Sequence, residues 1–274
     1  MKRVPLFPGR GRPLIFAHRG CSSLAPENTM AAFALARDRG CPGLELDIHA
    51  SLGGELVVVH DDTFVRTAGG GYNGEGRRVE ELRLEEIRRI DAGAYFGPPF
   101  RGEGPPLLEE VVEAFCPGMY IDIELKTKKI RNDPLPALAA EKIRSFGPRI
   151  MESLAVSSFN PFALRAFKER CPGIPTAIIW CVDPEVPLVL RRGFGRFISR
   201  CDYLKPRHTE LGRLSPPRLS RGRPLVPWPV DTPEDAERML TLGCQGLITN
   251  RPQDLGRFLP SGKGTGKTDG RTPG

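Results

Sequence analysis

No stretch of this chain approaches the roughly 20 consecutive apolar residues that a membrane-spanning helix requires. The opening MKRVPLFPGRGRP carries positive charge, but its prolines interrupt any apolar core of signal-peptide length. The seven cysteines (Cys21, Cys41, Cys116, Cys171, Cys181, Cys201, Cys244) are odd in number, widely spaced and never arranged as CxxC, which argues against a disulfide framework or a paired-cysteine metal site. Reduced thiols used as small core fillers, in a cytoplasmic protein, are the expectation. Basic residues form no long run and are not interleaved with aromatics, so no nucleic-acid surface is marked.

What is present describes a soluble globular protein: 39% hydrophobic and 27% charged residues. A length of 274 residues suits one large domain or two small ones. Gly 31 and Pro 28 promise many turns. The formal net charge of +7 favours anionic partners such as phosphorylated substrates or lipid head groups; an Arg-rich proteome would produce the same excess.

Along the chain, apolar runs alternate with helical patterns. Leu14, Ile15, Phe16 and Ala17 form a short strand that ends in His18-Arg19-Gly20. Asn28 or Thr29 caps a helix over MAAFALARDRG. In GLELDIHAS, Leu44, Leu46 and Ile48 alternate with Glu45, Asp47 and His49, so two carboxylates and an imidazole share one face. LVVVHDD returns as its hairpin partner and ends in His60 and Asp61. One helix is predicted around VEELRLEEIRRI and another over LLEEVVEAF. MYIDIELK places Asp122, Glu124 and Lys126 on one face. Strictly alternating helices and strands follow, including helices over LPALAAEKIRSF, PFALRAFKER, PEVPLVLRRGF and TPEDAERMLTLG.

Strands joined by helical crossovers are predicted at 14–17, 44–49, 119–125, 154–159, 176–181, 202–205, 225–230 and 246–249. Eight such units in about 250 residues are the arithmetic of an α/β fold of the (β/α)8 TIM-barrel type. The competing doubly wound sheet would need a glycine-rich first turn, and HRGCSSLAPEN lacks GxGxxG. The expected organisation is one domain over 1–260, a hairpin and insertion after strand 2 at about 62–106, and a disordered tail at 261–274, where Gly, Lys, Thr and Ser dominate and apolar residues are absent.

The strand ends of such a barrel converge on one mouth. There, Glu45, Asp47 and Glu124 supply the oxygen ligands a hard divalent cation needs, Mg2+ or Ca2+. His18 and His60 suit acid–base work near neutral pH. Arg19 and Lys126 suit a phosphate. The combination reads as phosphodiester chemistry. The competing readings are blander: a loop His18, an edge-strand His60, a water-facing Glu45 and Asp47. The last would leave carboxylates buried without partners in a barrel, which is costly. Asp122, deeper on the strand, reads as an ion-pair partner, and Glu27 as fixing the first loop against a helix N-terminus. His49 divides equally between supporting the site and filling a loop. Trp228 divides between lining the pocket and packing the core. Cys21 would be reactive only if Arg19 lowered its pKa.

In order, His18-Arg19-Gly20, Pro26-Glu27-Asn28-Thr29, Glu45-Leu46-Asp47, His60-Asp61, Glu124-Leu125-Lys126 and the late WPVDTPEDAERM stretch resemble the glycerophosphodiester phosphodiesterases, relatives in fold of the phosphatidylinositol-specific phospholipases C. The resemblance runs from about residue 14 to 258. It implies metal ligation by Glu45, Asp47 and Glu124, acid–base roles for His18 and His60, and phosphate contacts by Arg19 and Lys126. It also implies attack by the substrate's glycerol 2-hydroxyl on phosphorus, a cyclic phosphate that water opens, and release of glycerol 3-phosphate and an alcohol. Two departures stand out. The family commonly has Thr-Asp before a proline where this chain has Thr249-Asn250-Arg251-Pro252, and Trp-Thr-Val-Asn where it has Trp228-Pro229-Val230-Asp231. Neither is expected to touch a metal or histidine position, and both are expected to reshape the mouth.

Three functions follow. The first is hydrolysis of small glycerophosphodiesters without nucleic acid or stable membrane association. The second is a lysophospholipase D-like or cyclising phospholipase activity on lysolipids, with Tyr95, Phe96 and Phe100 as an apolar ridge. The third is a non-catalytic phosphate- or nucleic-acid-binding barrel, which would have little reason to retain both histidines and all three acids. Head group, choice of ion, order of the histidines and oligomeric state are open at this level.

Overall fold

The computed structural model describes residues 3–68, 76–183, 191, 193–212 and 220–259. Its sheet is built from β1 (Leu14–His18), β2 (Gly43–Ala50), β3 (Leu56–Val58), β4 (Tyr120–Leu125), β5 (Leu154–Ser158), β6 (Thr176–Trp180), β7 (Tyr203–Pro206) and β8 (Gly246–Thr249). The path β7-β6-β5-β4-β2-β1-β8 is parallel throughout. β3 pairs antiparallel with the end of β2, Ile48 opposite Val58. The hairpin after strand 2 is therefore in place.

The eighth predicted strand, 225–230, is hydrogen-bonded on both sides without forming a regular strand. Val226 and Trp228 donate to Leu204 and Pro206 of β7 at 2.9 and 3.0 Å, and Val230 donates to Ile248 of β8 at 2.8 Å. Pro224, Pro227 and Pro229 have no N–H to contribute, so the ladder is interrupted while the segment still spans the gap between β7 and β8. The parallel sheet thus curls into the expected barrel.

Helices cover the outer face. α1 (Met30–Asp38) is capped by Thr29, whose hydroxyl accepts from Ala32 N–H at 3.3 Å. α3 (Leu108–Phe115), α4 (Leu135–Ser145) and α6 (Pro161–Arg170) lie where their apolar stripes predict. Short turns of helix, α5 (Pro148–Met151) and α7 (Gly195–Ser199), precede β5 and β7, and α8 (Pro233–Thr241) precedes β8. The single helix expected around 79–90 is broken into a 3-10 turn at Val79–Glu81 and α2 (Leu84–Ile87). Glu81 and Glu86 accept from Arg78 and Arg83 N–H, so each turn is capped separately, with Leu82 extended between them. The helix expected over PEVPLVLRRGF falls largely on residues outside those described, as does the tail.

Inside the barrel, alternation sorts side chains by height. Leu14, Phe16, Tyr120, Ala155, Ala177, Tyr203, Val226 and Ile248 form an apolar floor, closed from below by Leu6 and Phe7. Phe7 stacks on Tyr120 with ring centroids 4.8 Å apart. Gly43 has no side chain because the Tyr120 ring occupies that space: a Cβ there would meet Cε2 at 1.9 Å. One step up β1, β2, β4, β5 and β7, the inward positions are polar: His18, Glu45, Asp122, Ser157 and Lys205.

Candidate active site

The register puts these polar positions side by side. His18 lies opposite Glu45, Glu45 opposite Asp122, Asp47 opposite Glu124, and Glu124 opposite Ser157. Glu45, Asp47 and Glu124 each bring a carboxylate oxygen to within 4.8 Å of the other two. All three are buried, and among the described residues Glu45 Oε2 and Asp47 Oδ1 have no hydrogen-bond partner. Buried carboxylate oxygens left without donors, converging from neighbouring strands, are a donor set that fits a hard divalent cation.

Electrostatics agree. Burial, with Asp47, Glu124 and Asp122 close by, pushes Glu45 up to about 8 despite Lys205. Burial also opposes ionisation of Asp47, yet Lys126 and Arg19 hold it well below the usual carboxylate range. Lys126 Nζ lies 2.9 Å from Glu124 Oε1 and 3.7 Å from Asp47 Oδ1, and Arg19 Nε lies 3.3 Å from Asp47 Oδ2. The two predicted phosphate contacts therefore flank the carboxylate cluster.

Both histidines face it. His18 Nε2 is 3.7 Å from Glu45 Oε2, and burial followed by the Arg19 charge lowers its pKa to about 4. His60 Nδ1 donates to Asp61 Oδ1 at 2.7 Å, and His60 Nε2 accepts from Lys126 Nζ at 3.0 Å. Asp61 in turn accepts from Arg66 Nε at 2.7 Å, and Arg66 and Arg19 share the Glu27 carboxylate. Glu27 thus joins two arginines above the site; Thr29, not Glu27, serves the helix N-terminus.

Trp228 is partly buried against the apolar floor, its ring 5.7 Å from Phe159 and its Nε1 donating to Lys205 O at 2.9 Å. His49 Nε2 donates to the His60 carbonyl at 3.1 Å, holding the backbone that carries the second imidazole. Cys21 is buried, and burial raises its thiol pKa, so Arg19 does not activate it. Gly20 has φ +83, and a Cβ there would come within 2.7 Å of the Ala32 backbone. Its close neighbour is α1, which lets the Arg19 loop lie flat on the helix.

Several residues went unread in the sequence. Lys205, fully buried, reaches Asp122 Oδ2 at 3.0 Å, Ser157 Oγ at 2.9 Å and Glu45 Oε1 at 3.4 Å. Its alternation with Tyr203 on β7 was the available signal. Asn28, at φ 57, donates from Nδ2 to Asp47 Oδ2 at 2.9 Å. Asp122, expected to be an ion-pair partner, is one, with Lys205. The expectation that neither departure from the family pattern touches a histidine fails: Asn250 Oδ1 lies 2.6 Å from His18 Nδ1, because β8 and β1 are adjacent and end at the same height.

A parallel α/β barrel thus gathers acids, imidazoles and cations at its strand ends. The family model for the glycerophosphoryl diester phosphodiesterase family matches residues 18–254, and the chain belongs to that family, as an enzyme of the phosphoric diester hydrolase class. It is 33% identical over 267 residues to a glycerophosphodiester phosphodiesterase of Caldanaerobacter subterraneus subsp. tengcongensis, covering 92% of this chain and 99% of that one. It is 31% identical over 245 residues to one of Bacillus altitudinis, covering 87% and 94%. Among solved structures, an Oleispira antarctica phosphodiesterase in complex with the product sn-glycerol-3-phosphate superposes with a TM-score of 0.76 at 26% identity, covering 89% of this chain and 95% of that one.

Proposed function

We propose that this chain hydrolyses glycerophosphodiesters to glycerol 3-phosphate and an alcohol, with a divalent cation, Mg2+ or Ca2+, held by Glu45, Asp47 and Glu124. The observation that carries the reading is the convergence of those three buried carboxylates within 4.8 Å, flanked by two imidazoles and two cations. When bound, the cation would polarise the phosphoryl oxygens and offset the charge that builds on them. Arg19 and Lys126 bind the phosphate from either side, and Trp228 forms a wall beside it. Stretch 1–260 acts as one catalytic domain in this reading, and seven free cysteines support a cytoplasmic setting.

The two histidines differ in what sits behind them. His18 donates from Nδ1 to a neutral amide, which leaves Nε2 unprotonated and suited to take the proton of the glycerol 2-hydroxyl as it attacks phosphorus. His60 donates from Nδ1 to the Asp61 carboxylate, which fixes the ring with Nε2 toward the site, and in this reading its protonated form gives the Nε2 proton to the departing alcohol once Lys126 turns to the phosphate. Water then opens the cyclic phosphate with the two roles reversed.

The test is release of glycerol 3-phosphate from glycerophosphocholine, lost with chelator and restored by Mg2+ or Ca2+. Retention of activity in both His18→Ala and Glu45→Ala would show the site is wrong. A second reading, cleavage of lysolipids, draws on Tyr95 and Phe96, which are 38% and 37% exposed. The Tyr95 hydroxyl accepts from Glu27 N–H at 3.2 Å, so the pair stands beside the mouth. Turnover of lysolipids with none of water-soluble diesters would favour it.

A further inference from the structure

We infer that Asp231 is a positioning residue for His18, acting through Asn250, and that together they fix which ring nitrogen of His18 carries the proton. His18 ends β1, Asn250 follows β8, and Asp231 follows the proline-interrupted segment beside β8, so the three meet on adjacent strand ends. Asp231 Oδ1 accepts from Asn250 N–H at 2.7 Å and from Thr249 Oγ1 at 3.1 Å. Its Oδ2 accepts from Asn250 Nδ2 at 2.8 Å.

A carboxylate offers no hydrogen to donate, so the Asn250 side chain has one satisfactory orientation: amide nitrogen toward Asp231, amide oxygen toward His18. That oxygen, which also accepts from Ser22 Oγ at 3.3 Å, lies 2.6 Å from His18 Nδ1. An amide oxygen only accepts, so Nδ1 carries the proton and the Nε2 lone pair faces the carboxylate cluster. The direction of the chain is set at its outer end, by the one member that can only accept.

This joins the two departures from the family pattern into one contact. Position 231 holds an acid where the pattern has an amide, and position 250 holds an amide where the pattern has an acid. Changing either alone disrupts the chain. Asn250→Asp sets two carboxylates face to face. Asp231→Asn leaves two amides, and the Asn250 side chain is then free to rotate and present its NH2 to His18 Nδ1, selecting the other tautomer. Exchanging both restores one acid and one amide, with an acceptor still facing Nδ1.

The inference rests on the role given to His18 above, but its first readout needs no turnover. In the full chain, long-range 1H–15N correlation spectra of metal-free and Mg2+-supplemented protein should show His18 protonated at Nδ1. Protonation at Nε2 instead overturns the proposal, whatever the variants do. Asp231→Asn should shift His18 toward mixed tautomers and lower kcat on glycerophosphocholine about tenfold or more while KM changes little. The double exchange Asp231→Asn with Asn250→Asp should bring kcat back to within about threefold of the native chain. An unchanged tautomer in Asp231→Asn, or a double variant no better than the worse single one, would leave these residues a purely structural role. If the native chain turns over no diester at all, the tautomer measurements still decide this inference separately.

Discussion

Lys205 Nζ stands 3.0 Å from Asp122 Oδ2, with both side chains sealed inside the barrel directly beneath the carboxylate cluster. The ammonium also reaches Glu45, so one cation balances two buried acids. Lys205→Met should therefore cost about 3–5 kcal/mol, the usual penalty for leaving buried charge uncompensated. Adding Asp122→Asn should recover part of that loss. Urea unfolding of the three proteins checks the order; a Lys205→Met protein as stable as the native one would show that the ion pair contributes nothing net.

Tyr120 closes the apolar floor with two hydrogen bonds to a single residue. Its hydroxyl accepts from Ile15 N–H at 2.7 Å and donates to Ile15 O at 3.0 Å. Tyr120→Phe keeps the ring and its stacking on Phe7 but strands a buried N–H, so a loss of about 1–3 kcal/mol is expected with activity retained. Denaturant midpoints, together with glycerol 3-phosphate release, separate the two effects.

Gly20→Ala should harm both stability and turnover. The residue sits at φ +83, and the new methyl would meet the Ala32 backbone at 2.7 Å. A left-handed backbone strained by a clash costs on the order of 1–3 kcal/mol, and relief requires moving the loop that carries Arg19. A lower melting temperature with a raised KM is the expected pattern.

Acid should loosen the arginine–carboxylate chain over the mouth. Burial opposes ionisation of Glu27 and Asp61, but Arg66, aided by Arg19 at Glu27 and by His60 at Asp61, holds both below their ordinary values. A carboxyl depressed in the folded state stabilises above its unfolded value and loses that contribution as pH falls through the folded one. Stability should thus be full above about pH 4.5 and decline below it as these acids protonate. Melting temperatures from pH 7 to pH 3 should show that decline more weakly in Arg66→Ala.

Much of this was legible in the chain because strands and helices announce themselves through short-range periodicity. The alternation in GLELDIHAS and MYIDIELK put Glu45, Asp47, Asp122 and Glu124 on common faces, and eight strand–helix units implied a barrel. The breaks fell where local chemistry outweighed pattern: two capped turns replaced one helix at 79–90, and three prolines reduced 225–230 to a bridging segment.

The residues in order set which groups are present and which strand ends carry them, since a strand's two faces are fixed by its own residues. Which of those groups touch depends on how the strands and loops pack. Lys205 meets Asp122 and Glu45 across the barrel interior, Asn28 steadies Asp47 from the first loop, and Asp231 reaches His18 through Asn250. These contacts join different strands and loops, and the last of them exists because parallel pairing brings the ends of β1 and β8 to the same height.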